Sequence, residues 1–133
     1  LSTAVQYNIP TVITLLNNMG WQAIKDLQIA VFGQERTIAV DFEKDGKPYT
    51  PNFAEVARAF GAYGERIERP DEVKPALKRA FASGMPAVIE VMVNREYPYS
   101  GGVATGWWDV PIPAYLEEKR ATYEEQRKKE RLI

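Results

Sequence analysis

The sequence predicts an α/β fold: a mostly parallel sheet with flanking helices, followed by an extended C-terminal tail and a charged terminal helix. Three observations predict it. Two β-branched apolar runs, Thr11 to Leu16 and Ala87 to Val93, read as strands, the first covered on both faces. Amphipathic helical periods stand between them. The order strand, helix, strand, helix, strand favours parallel pairing with helices packed on the faces. A chain of 133 residues, 45% hydrophobic and 26% charged, is long enough for one such domain with a real core.

The elements follow in order. "LSTAVQYNIP" reads as the end of an amphipathic helix, with Leu1, Ala4 and Val5 at helical spacing and Pro10 as its stop. It does not begin with methionine, and the chain is expected to be a piece of a longer polypeptide. The first strand ends in the amides Asn17 and Asn18. Trp21, Ile24, Leu27 and Val31 give the next segment a loose helical period. Ile38, Val40 and Phe42 alternate within Thr37 to Phe42, which reads as a strand or a long lid, and Asp45-Gly46 is a turn signal. Asn52 is placed to cap a helix, with Glu55 completing a capping box and Phe53, Val56, Ala57 and Phe60 as one buried stripe. Gly61 ends that helix, and Tyr63 to Glu68 is a short strand. In "RPDEVKPALKRAFASG", Val73, Ala76, Leu77, Ala80 and Phe81 share a face, Pro75 fits the first turn and Gly84 the C-terminal cap. After Val93, "NREYPYSGGVATGWWDVPIP" lacks periodicity. From Ala114 the chain is a charged, solvated helix anchored by few apolar residues, among them Tyr115, Leu116 and Tyr123.

Composition excludes several chemistries. There is no cysteine and no histidine. That removes disulfides, thiolate zinc sites, cysteine nucleophiles and the Ser-His-Asp triad. Catalysis would therefore rest on a cofactor or on a hard, oxygen-bound cation. A net charge of -1 gives no general pull toward nucleic acid or an acidic membrane, and no apolar run is long enough to span a bilayer. Neither nucleic acid nor membrane is expected as a partner, and a cytoplasmic location is.

Ligands of such sheets sit beyond the carboxyl ends of the strands, where Asn17 and Asn18 lie. A side-chain amide oxygen is a neutral, hard ligand suited to magnesium or calcium. A backbone carbonyl two residues later can share the ion where the chain turns sharply, as Gly20 would permit. On spacing alone the competing reading is an ordinary turn.

The stretch "STAVQYNIPTVITLLNNMGW", with "NFAEVARAFGAYGERIERPDEVKPALKRAFASGMPAVIEVMV" after it, resembles the C-terminal, pyrophosphate-binding domain of thiamine-diphosphate-dependent enzymes. Within that family it is similar to the acetolactate synthase and 2-oxoacid decarboxylase-like group. The resemblance implies a partial thiamine-diphosphate-binding fold over residues 1–93, with residues 94–133 as a tail or lid segment plus the charged helix. It implies thiamine diphosphate and Mg2+ as cofactors, with Asn18 (through its side-chain oxygen) and Gly20 (through its carbonyl) as metal ligands. Asn17 would only support them, and Met19 between them would fill space. Gly20, Trp21, Ala23 and Ile24 become candidates for cofactor contact; for Trp21, Ala23 and Ile24, core packing is the competing reading. No catalytic residue is expected here. The family's Gly-Asp-Gly aspartate would fall before Leu1, and its cofactor-activating glutamate lies in another domain of a neighbouring subunit. The parent is expected to be a homo-oligomeric lyase or transferase that makes or breaks a C–C bond next to the carbonyl of a small 2-oxo acid. It would act with its remaining domains, and this fragment alone would be inactive. "GGVATGWWDVP" reads as an aromatic plug or a lid, and its Trp107-Trp108 pair also resembles the tail of thiamine-diphosphate-dependent cyclic-dione hydrolases. The alternative from another class is a non-catalytic α/β binding or assembly module.

Overall fold

The computed structural model describes residues 1–95 and 112–129. In chain order the elements are α1 (Ser2–Gln6), β1 (Val12–Asn17), α2 (Gln22–Phe32), β2 (Glu43–Lys44), β3 (Lys47–Pro48), α3 (Phe53–Ala59), β4 (Tyr63–Ile67), α4 (Val73–Ala82), β5 (Ala87–Met92) and α5 (Glu117–Lys129). They fall into two compact units. The first joins Leu1–Gly20 to Phe42–Arg95. The second contains Trp21–Asp41 and the described residues 112–129.

The first unit is built on a three-stranded sheet of order β1-β5-β4, parallel throughout. β5 is central. Val12 pairs with Ala87 and Asn17 with Met92 on one side, and Tyr63 and Ile67 pair with Ala87 and Val91 on the other. Successive β5 side chains face opposite sides of the sheet. Ala87 and Ile89 pack with Ile67, Ala76 and Ala80, while Val88 packs with Ala57 and Ala62. The Asp45-Gly46 signal is borne out: both residues have positive φ, 55° and 72°, and they link the antiparallel pair β2 and β3.

Three burial expectations are corrected. β1 is not covered on both faces, since Ile13 and Leu16 are exposed. It lies at the edge of the sheet, where β5 is its only strand neighbour among the described residues. In α3 the buried residues are Ala54 and Ala57, whereas Val56 and Phe60 are exposed. The helix lies so close to β4 that a Cβ placed on Gly64 would stand 2.1 Å from the Ala54 carbonyl oxygen. Only small side chains fit that contact. In α4 the buried pair is Ala76 and Ala80, and Phe81 is 68% exposed.

Local signals fared better. The Asn52 side chain accepts the Glu55 N–H at 3.0 Å and caps α3. The Glu55 carboxylate, expected to reach back to the cap, pairs instead with Arg58. Gly61 and Gly84 take positive φ just past α3 and α4. Pro75 sits in the first turn of α4.

In the second unit Val31, Ile112 and Tyr123 form a buried cluster with Phe32 and Leu116 against it. Tyr123 is thus a true anchor of α5, while Tyr115 is exposed. The Lys119 ammonium donates to the carbonyls of Ile29 and Ala30 in the last turn of α2, where the helix dipole favours a cation. Thr37 to Phe42 forms no strand of the kind its alternation allowed. Ala39 has φ 56°, and the Gln28 side chain satisfies both the N–H and the carbonyl of Ile38. The Trp107-Trp108 segment lies outside the described residues. Among the described residues no helix is long and apolar enough to cross a membrane.

Candidate metal and cofactor site

The first strand ends in a turn whose bonds separate the two amides. Asn17, the last residue of β1, is 6% exposed. Its Oδ1 accepts the Met19 N–H at 3.1 Å, an Asx turn, and Met19 takes φ 57°. The Met19 carbonyl in turn accepts the Phe42 N–H at 3.0 Å. The reversal expected of Gly20 is therefore made by Met19. Gly20 does not have positive φ, and Met19 does more than fill space. The Asx bond stabilises the left-handed conformation there, so no glycine is required at the turn.

Asn18 differs from its neighbour. It is half-buried, and no hydrogen-bond partner engages its amide among the described residues. The two adjacent amides thus differ: Asn17 is engaged at both ends, and Asn18 has no partner among the described residues.

Beneath the turn lies a residue to which the sequence assigns no role. Glu90 on β5 is 0% exposed. Its Oε1 accepts from Asn17 Nδ2 at 2.6 Å and from Arg66 Nη2 at 2.9 Å. Its Oε2 accepts from the Ala54 N–H at 3.1 Å and from Arg66 Nε at 3.0 Å. Register explains the pairing, because Arg66 on β4 stands directly beside Glu90. Asn17 Nδ2 has a second acceptor, Thr50 Oγ1, at 2.7 Å. Desolvation is the largest influence on the Glu90 carboxyl and pushes its pKa up. Hydrogen bonds from Arg66, Asn17 and the Ala54 N–H, with the Arg66 charge, outweigh it and hold the group below the usual carboxylate value. The signal in the sequence was a lone acid within "AVIEVMV": a charge in a fully buried strand requires partners.

The other candidates follow Gly20 in the chain and belong to the second unit. Trp21 precedes α2, and its N–H donates to the Val40 carbonyl at 2.7 Å. Its side chain is 59% exposed, and Ala23 and Ile24 are also exposed. Core packing does not account for these three residues. The buried residue of the first turn of α2 is Gln22, whose amide donates to Asp41 at 3.0 Å while Lys25 pairs with the same carboxylate at 2.7 Å.

The donors fit part of a magnesium site. An amide oxygen and a peptide carbonyl are both hard, neutral ligands. Among the described residues no cluster of three or more acidic, histidine or cysteine side chains could hold a metal unaided. Glu90 cannot serve as the carboxylate ligand, since it is buried and all its oxygens are engaged.

The chain is similar to known proteins over most of its length. The family described as "Thiamine pyrophosphate enzyme, C-terminal TPP binding domain" matches residues 1–91. The chain is 36% identical over 97 residues to a probable acetolactate synthase of Mycobacterium bovis, covering 73% of this chain. It is 34% identical over 100 residues, 72% of this chain, to a sulfoacetaldehyde acetyltransferase of Castellaniella defragrans. It is 33% identical over 109 residues, 76% of this chain, to a 2-hydroxyacyl-CoA lyase of Arabidopsis thaliana. The matched segment is 16%, 16% and 17% of the length of these three relatives.

Proposed function

The chain belongs to the family of C-terminal thiamine pyrophosphate-binding domains, and from that premise we propose that it holds the cofactor's diphosphate through magnesium. In this reading the Asn18 side-chain oxygen and the Gly20 carbonyl are metal ligands, while Gly20, Trp21, Ala23 and Ile24 contact the cofactor. The supporting observation is the half-buried Asn18 amide, which has no partner among the described residues and stands just past the end of a parallel strand. That position is where ligands of open α/β sheets bind.

The parent enzyme makes or breaks a C–C bond next to the carbonyl of a 2-oxo acid, as a lyase or transferase. The acetolactate synthase, acetyltransferase and lyase relatives support this class. Bound thiamine diphosphate supplies the nucleophilic carbon and the electron sink. This chain binds and orients, and the remaining domains of a homo-oligomeric parent supply the other groups of the site.

Isothermal titration of the full-length parent tests the reading. Thiamine diphosphate is expected to bind in a magnesium-dependent way, and Asn18→Ala to weaken magnesium binding at saturating cofactor by at least about tenfold. Unchanged magnesium affinity in Asn18→Ala would overturn the assignment.

A further inference from the structure

We propose that Glu90 is a positioning residue for the metal-holding turn, acting through Asn17 to fix the backbone that carries Asn18 and Gly20. The inference rests on the reading of Asn18 and Gly20 given above and extends it to a group that touches neither cofactor nor metal.

The argument is one of donors and acceptors. An ionised carboxylate only accepts hydrogen bonds, whereas an asparagine amide has a donating end and an accepting end. Glu90 Oε1 and Thr50 Oγ1 both stand at Asn17 Nδ2, at 2.6 and 2.7 Å. Thr50 is oriented as an acceptor because its own hydroxyl donates to the Pro51 carbonyl at 3.1 Å. The donating end of Asn17 is thus fully claimed, and Oδ1 is left to accept the Met19 N–H. That bond holds Met19 in the left-handed conformation, which sets the direction of the chain between Asn18 and Gly20. If the amide were reversed, its NH2 group would meet the Met19 N–H and the turn would lose the bond that Oδ1 accepts.

Glu90 is itself immobilised. Asn17, the Ala54 N–H and two nitrogens of Arg66 supply four donors to its two oxygens. It has no free lone pair for proton transfer or for a metal, which leaves orientation as its contribution. A glutamine at this position keeps the shape but replaces one acceptor oxygen with a donor, and because each oxygen accepts two bonds, two of the four become donor–donor conflicts: those from Asn17 and Arg66 Nη2, or those from the Ala54 N–H and Arg66 Nε. The consequence reaches the turn through Asn17. Partners one step removed from a metal ligand typically change affinity by about 10–100-fold.

The test measures magnesium affinity in the full-length parent at saturating thiamine diphosphate, at a temperature where circular dichroism shows the fold intact. Glu90→Gln is expected to raise the magnesium Kd by about 10–100-fold. Thr50→Val removes one acceptor from the same amide at a half-buried position and shifts the Kd in the same direction by a smaller factor. A residue that only stabilised the fold would lower the melting temperature and leave the magnesium Kd of the folded protein unchanged. Folded Glu90→Gln with wild-type magnesium affinity overturns the proposal. If that variant does not fold, wild-type affinity in Thr50→Val overturns it. Asn18→Ala, measured alongside, separates the two levels. Weakened binding in Asn18→Ala with no change in the other variants rejects positioning alone, whereas no change in Asn18→Ala rejects the ligand assignment on which positioning depends.

Discussion

Glu90→Leu is expected to destabilise the chain by about 3–5 kcal/mol at neutral pH, the range found when one member of a buried ion pair is removed. Leucine fills most of the volume but accepts no hydrogen bond. Arg66 would lose its carboxylate partner and keep the Pro51 carbonyl as an acceptor, at a site where its side chain is only 26% exposed. Asn17 and the Ala54 N–H would be left with unsatisfied donors in the interior. Urea unfolding followed by circular dichroism measures the change, and a loss below about 1 kcal/mol would contradict the account. The direction of the pKa shift adds a second readout. Because the folded carboxyl titrates below its ordinary value of 4.5, its stabilisation is fully present above that pH and is lost as pH falls through the lower, folded-state value. Wild-type stability should therefore decline on acidification below pH 4.5, and Glu90→Leu should show a shallower acid limb.

Gly64→Ala is expected to cost about 3 kcal/mol, the upper part of the usual range for overpacking. The added methyl would lie 2.1 Å from the Ala54 oxygen, 2.9 Å from its carbonyl carbon and 3.2 Å from its Cα. All three are backbone atoms, so no side-chain rotation relieves the clash and α3 has to move away from β4. That movement draws the Ala54 N–H from Glu90 and strains the bond from Arg58 to the Gly64 carbonyl. Thermal unfolding of the variant measures the cost. Near-wild-type stability would mean that α3 can shift without disturbing its contacts.

The parallel sheet and its helices were legible because their signals are local. Asn52, Gly61 and Gly84 act within a turn of their own positions, and the β-branched run at Ala87 declares a strand wherever it pairs. The burial of α3 and α4 was not legible. Hydrophobicity pointed to Phe60 and Phe81, but the distance between layers is set by Gly64, on another element, and admits only alanines. At the site, the position of Asn18 and Gly20 could be read from the end of a strand, and their proposed roles only from family resemblance. The left-handed residue was misplaced for a physical reason. Glycine is the default for positive φ, but an Asx bond from Asn17 moves that conformation to Met19, and the orientation of Asn17 depends on Glu90, which is remote in the chain and adjacent only through β-sheet register. Glu90 itself could have been noticed as a lone charge among β-branched residues, although nothing local named its partners.

The order of the sheet also has a kinetic consequence. β5, the central strand, is the last of the three along the chain, so β1 and β4 have no common neighbour until it arrives. Tyr63 reaches Ala87 across α4 alone, whereas Val12 reaches the same residue across nearly the whole first unit and the inserted Trp21–Asp41 segment. Closing the longer loop costs about 1 kcal/mol more entropy. Pulse-labelled hydrogen exchange during refolding should protect β4 and β5 amides before those of β1, and simultaneous protection would contradict this order. The strand bearing Asn17 would then join last, so that competence to hold the cofactor would emerge only as the nascent sheet is completed.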